Sequence, residues 1–134
     1  FDWQRMLALD GNTAPYLQNA HVRIHSILRK GDVHTAQLQA NDLVLEDPAE
    51  RALATELLQF PQTIEGVARS LEPHRLCNYL YGLASGYHAF YERCSVLKAD
   101  TEVQRKSRLA LSYLVARTLR RGLNLLGIQA IERM

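Results

Sequence analysis

The chain has 134 residues, 47% of them apolar, with 16 Lys and Arg against 14 Asp and Glu. That is the length of one domain with enough apolar surface for a continuous core, which excludes a disordered chain. No apolar run approaches the roughly 20 residues of a membrane-spanning helix and no leader pattern opens the chain, so it reads as soluble and cytoplasmic. It starts at Phe1 rather than Met, as a piece of a longer protein would.

Residues 1–11 are short, mixed and close on the Asp10-Gly11 turn signal. Thr13 is placed to cap a helix whose first turn accepts Pro15, because that turn has no partner for its N–H groups. The helix runs to about Lys30, with Leu17, Ala20, Ile24, Ile27 and Leu28 as its apolar stripe and Gly31 as its left-handed exit. A short helix is predicted near Val33–Ala40. Asp47-Pro48 starts the next helix, with Leu53, Leu57 and Leu58 facing inward. Phe60-Pro61 stops it and opens another, striped by Ile64, Val67, Ala68 and Leu71. From Pro73 a long helix is predicted to about Leu97, carrying Leu76, Leu80, Leu83, Ala84, Tyr87, Tyr91 and Cys94 in register. Gly82 and Gly86 leave a groove along it. The last helix begins near Asp100 or Thr101 and ends at Gly127, with Leu111, Val115, Thr118, Leu119, Gly122 and Leu126 inward. No segment alternates as a strand does. The expectation is an all-α bundle of about five to six helices.

Catalytic and metal chemistry find little support. His21 and His25 are one helical turn apart, but no cysteine or carboxylate of matching spacing joins them as metal ligands. Cys77 and Cys94 fall on one predicted helix, where 17 residues at about 1.5 Å each hold them too far apart for a disulfide. There is no phosphate-cradling glycine loop. Residues 1–100 carry a charge balance of −3, residues 101–134 one of +5, so the basic charge is concentrated late in the chain. Lys106, Tyr113, Arg117 and Arg120 share one face of the last helix. Tyr79, Tyr81, Tyr87, His88, Phe90 and Tyr91 crowd 13 residues of the long one, more rings than one packing face needs. Rings beside cations suit unpaired RNA bases. They equally suit a protein-interaction or dimerisation module packing through the Gly82/Gly86 seam. Periodicity does not choose between these.

The segment FDWQRMLALDGNTAPYLQNAHVRIHSILRK resembles the point in arginyl-tRNA synthetases where the catalytic body passes into the anticodon-binding domain. The resemblance is carried by Gly11, Asn12, Thr13, Pro15, Tyr16, Gln18, Ala20, Arg23, Ile24 and Ser26 in order. LEPHRLCNYLYGLASGYHAFYERCSVL and RLALSYLVARTLRRGLNLLGIQAIERM resemble the family's later segments, down to the Glu-Arg-Met ending. Asn19 stands where the family has Tyr, Gly82 where Glu is common and Tyr87 where Phe is common. The resemblance implies residues 1–11 as the end of the catalytic junction and 12–134 as an all-α, DALR-type anticodon-binding domain of a class I enzyme. It implies a tRNA for arginine and the catalytic domain of the same chain as partners, in a monomer. ATP and magnesium would be used by the parent enzyme's catalytic domain, with no cofactor and no active site in this segment. By the same resemblance Tyr16 and Arg23 lie near the anticodon stem. Tyr79, Tyr87, His88 and Tyr91 are candidates for stacking on loop bases, Arg117, Arg120 and Arg121 for holding phosphates, and Met134 for lying close to the loop.

Overall fold

A computed structural model describes residues 14–132. The Thr13 cap, the 1–11 junction and Met134 lie outside the described residues. Among these residues the chain is all helical, with α1 (Ala14–Lys30), α2 (Pro48–Leu58), α3 (Phe60–Ser70), α4 (His74–Arg93) and α5 (Glu102–Leu125).

The proline signals translate directly into helix starts. Asp47 is an extended N-cap whose carboxylate accepts from Ala49 N–H at 2.8 Å, while Glu50 reaches back to Asp47 N–H at 2.8 Å. This reciprocal box satisfies backbone donors that the first turn leaves open. α2 and α3 share Gln59 as C-cap and N-cap, so Pro61 turns the chain with no loop between them. Thr101 caps α5 by accepting from Gln104 N–H at 3.1 Å.

α4 is the central helix. Leu76, Leu80, Leu83, Ala84, Tyr87 and Phe90 are buried along it and meet the buried stripes of α1 and α5. α1 and α5 pack antiparallel. Gly31, at the end of α1, lies against Leu109 near the start of α5, where a Cβ would sit 3.0 Å from a Leu109 methyl. Arg105 also donates to the Gly31 carbonyl. Gly122 permits a closer approach still, since a Cβ there would lie 2.5 Å from Leu80 Cδ2. One buried ion pair ties α2 to α5: Arg108 Nε lies 3.4 Å from Glu50 Oε2, and Arg108 Nη1 donates to the Ser95 carbonyl at 2.7 Å. Removing one partner of such a pair strands a buried charge, at a cost of about 3–5 kcal/mol.

Several sequence expectations are corrected. Gly31 is not the left-handed residue; Asp32 is, with φ 52°, and Gly31 is used for closeness to Leu109. The helix expected near 33–40 is replaced by two 3-10 turns, Thr35–Gln37 and Ala40–Asp42. There Gln39 N–H goes to the Asp42 carboxylate at 2.8 Å and Val44 N–H to Ser107 Oγ at 2.8 Å, so side chains take donors a helix would have used. The long helix stops at Arg93 rather than Leu97. Cys94 is extended, and Arg93 is drawn off to Asp47 at 2.9 Å. Cys94 is therefore not on the same helix as Cys77, although both are buried and neither is in a disulfide. Leu58, the last residue of α2, and Leu71, the C-cap of α3, face solvent at 78% and 79% exposure; α3 itself buries no residue fully.

Candidate nucleic-acid interface

Two pairs of residues spaced by seven, Tyr16 and Arg23 on α1 and Tyr81 and His88 on α4, each fall within about 20° on their helix. Where the two helices pass, these side chains meet. The Tyr16 ring lies 5.0 Å from Tyr81 and 5.9 Å from His88. Its hydroxyl is 3.4 Å from Ser85 Oγ. Arg23 is exposed and donates through Nη1 to His88 Nδ1 at 3.3 Å. Its guanidinium carbon sits 5.2 Å from the centre of the Tyr91 ring, a cation–π distance.

The electrostatics follow from that contact. A guanidinium only donates, so His88 Nδ1 accepts and the neutral ring carries its proton on Nε2. Burial first, and the Arg23 charge second, hold His88 below the ordinary imidazole value. The result is a neutral imidazole beside a permanent cation, flanked by half-exposed phenol rings. Flat faces and a positive charge without a carboxylate in contact are what a splayed base and its phosphate require.

The structure divides the other predicted residues. Tyr87 is in the core at 1% exposure and donates to Ser112 Oγ at 2.9 Å. Burial pushes its hydroxyl up to about 12. It has no ring face open to a base and instead supports Tyr91, 6.2 Å away in a stacked arrangement. Tyr79 is half-buried and fastens α4 to α2 by donating to the Glu56 carbonyl at 2.6 Å. Burial first, then Glu56, raise its hydroxyl well above the ordinary phenol value. Arg117, Arg120 and Arg121 are all exposed but diverge. Arg117 borders Leu43 and Tyr113, Arg121 borders Phe60 and Ile64, and Arg120 lies 3.6 Å from the Glu132 carboxylate. Lys106, on the expected basic face, is likewise paired, with Asp42 at 3.5 Å. Tyr81, at 48% exposure, completes the cluster; it is one of the six crowded rings of the long helix but not among those expected to stack on bases, and its seven-residue spacing to His88 was the available signal.

The Gly82/Gly86 groove is filled by the chain itself. A Cβ on Gly82 would lie 3.1 Å from Glu56 Oε1, and one on Gly86 would lie 2.7 Å from Glu56 Oε2 with Leu53 behind it. α2 occupies the seam that a dimerising partner would have needed. His21 and His25 stand with ring centres 4.5 Å apart, but among the described residues no three His, Cys, Asp or Glu side chains gather as a metal site.

The DALR anticodon binding domain family matches residues 17–134. Arginine–tRNA ligases of Thermobifida fusca and Yersinia enterocolitica are 54% and 51% identical to the chain over all 134 residues. Arginyl-tRNA synthetase structures from Thermus thermophilus and Plasmodium falciparum superpose on the whole chain with TM-scores of 0.82 and 0.83, at 42% and 32% identity. The chain spans 23% of the length of each of these four proteins. The chain belongs to the DALR anticodon binding domain family.

Proposed function

We propose that the chain, from about residue 12 onward, is the anticodon-binding domain of an arginine–tRNA ligase and grips the anticodon stem-loop of the arginine tRNA. Residues 1–11 would be the end of the junction with the catalytic domain. The observation that carries the reading is the solvent-facing cluster of Arg23, His88, Tyr91, Tyr16 and Tyr81 in a chain of this family. In it Arg23 meets a phosphate while a ring of Tyr81, Tyr16 or Tyr91 stacks on an unpaired base, worth roughly 1–3 kcal/mol per base. Arg117, Arg120 and Arg121 would each reach a different part of the RNA backbone, and Met134 would lie close to the loop.

Ligation of arginine to tRNA, with ATP and magnesium, would belong to the other three quarters of such an enzyme. Among the described residues no three His, Cys, Asp or Glu side chains gather as a metal site. The domain would work as part of a cytoplasmic monomer. Titrating the purified chain with the arginine tRNA and with a tRNA lacking the middle cytosine of its anticodon tests the reading. Preferential and salt-sensitive binding of the first is expected. Equal affinity for both removes anticodon readout.

A further inference from the structure

The opposite flank of α1 carries a second set of polar side chains, and the segment after α5 is laid along them. α5 ends in a Schellman turn: Ile128 N–H bonds the Leu123 carbonyl at 2.9 Å, Gly127 N–H bonds Asn124 at 3.0 Å, and Gly127 takes the left-handed φ of 77°. The chain then runs back as a strap in the groove between α1 and α5. Gln18 Nε2 donates to the Gln129 carbonyl at 2.9 Å, and His21 Nδ1 lies 2.6 Å from the Ile131 carbonyl. At the strap's end, residue 132 is held by two cations. Arg29 Nη1 reaches the Glu132 carbonyl at 3.5 Å, and Arg120 Nη1 lies 3.6 Å from the Glu132 carboxylate.

His21 is an unusual residue for this place. It is 0% exposed among the apolar residues of the core, and its Nε2 has no hydrogen-bond partner. A carbonyl only accepts, so Nδ1 carries the proton and Nε2 is a bare, buried lone pair. An aliphatic side chain would fill the position without stranding a polar atom. What histidine adds is one directed donor aimed at the strap.

We infer that His21 is a positioning residue for RNA binding: it clasps the strap so that Arg29 and Arg120 are held on either side of residue 132 as a preorganised two-cation seat for RNA phosphate. Both arginines are exposed and already tethered, so little side-chain freedom remains to be lost when a phosphate arrives. Guanidinium groups also match phosphate geometry better than ammonium groups do. Glu132 occupies the seat in the free chain, and phosphate takes its place. The inference rests on the RNA-binding reading above.

The test compares the full chain with His21→Leu, His21→Gln and the double variant Arg29→Ala/Arg120→Ala. It follows anticodon stem-loop affinity across salt, amide exchange of residues 128–132 and the urea midpoint. His21→Leu is expected to speed exchange in the strap and to weaken RNA binding about tenfold. It should also make the salt dependence shallower by about 1.5, since each lost phosphate contact removes about 0.7–0.9 from the slope. His21→Gln, whose amide can donate to the same carbonyl, should recover affinity to within about threefold, the margin left by a slightly misplaced group. The double arginine variant leaves the core and the Gln18 and His21 contacts untouched and should show the same loss of slope with the strap still protected ahead of residue 132. A released strap with unchanged affinity and slope overturns the inference. So does an affinity loss that tracks the urea midpoint and is not rescued by Gln. If the wild-type chain shows no salt-sensitive binding, the functional reading fails along with the seat. If the wild type binds and the double arginine variant matches it, the seat alone fails.

Discussion

The two flanks of α1 use the same residue types in opposite ways. On one, Tyr16 and Arg23 meet Tyr81, His88 and Tyr91 side chain to side chain, half in solvent. On the other, Gln18, His21 and Arg29 reach backbone carbonyls of a strap, and the histidine is wholly buried. The first flank keeps its ring faces and its guanidinium open to a ligand. The second spends its donors inside the chain and leaves only the outer arginines exposed. A side-chain cluster can exchange its neighbours for a ligand's groups, whereas a carbonyl clasp fixes the course of the backbone.

The largest effect that would sharpen this contrast comes from the ring beneath the first flank. Tyr87→Ala should lower stability by about 3–5 kcal/mol, seen as a large fall in the urea midpoint, as expected for a buried aromatic. Tyr91→Ala, one stacking distance above it, should instead lower affinity for the stem-loop about tenfold and cost less than half as much stability. If the two variants destabilise equally, Tyr91 is core and the first flank is not a binding face. Arg23→Ala should weaken binding about fivefold while shifting stability by no more than about 0.5 kcal/mol, because the group is exposed.

Acid should distinguish the flanks next. Burial is the leading cause of the lowered values of His21, His25 and His88; Arg120 and Arg23 add to it, while Glu132 opposes it at the first two. A histidine depressed in the folded state binds its proton more readily when unfolded. Stability is therefore full above the unfolded value of about 6.5 and declines as pH falls from there through the depressed values. Two of the three lie on the strap flank, so His88→Gln should leave most of that decline in place in urea titrations at pH 5 and 7. The smallest effect belongs to Arg120→Ala. Its pair with Glu132 is half exposed on both sides, and stability should move by about 0.5 kcal/mol or less.

Much of the architecture was legible because proline and capping residues act locally. Asp47-Pro48, Phe60-Pro61 and Pro73 mark helix boundaries that depend on no distant contact. The errors fall where a distant partner decides. Gly31 looks like a helix exit, but Leu109, far along the chain, needs its missing side chain and leaves the turn to Asp32. Segment 33–40 has helical letters, yet Ser107 and Asp42 capture nearby donors. Leu58 and Leu71 continue their stripes past the point where any neighbour covers them. In the site, spacing brought Tyr16 to Arg23 and Tyr81 to His88, while Tyr87 differs from Tyr91 only in which way α4 is turned. The clasp had no signal at all, because every residue offers a carbonyl.

The strap also bears on how the domain is made. His21 and Ile131 are 110 positions apart, and a ribosome adds about 5–20 residues per second. α1 therefore leaves the ribosome some 5–20 s before the segment that closes over it. During that interval Leu17, Ile24 and Leu28 have neither α5 nor the strap to cover them. α1 stays uncovered on this flank until the strap, 110 positions further along, has been made and can seal it.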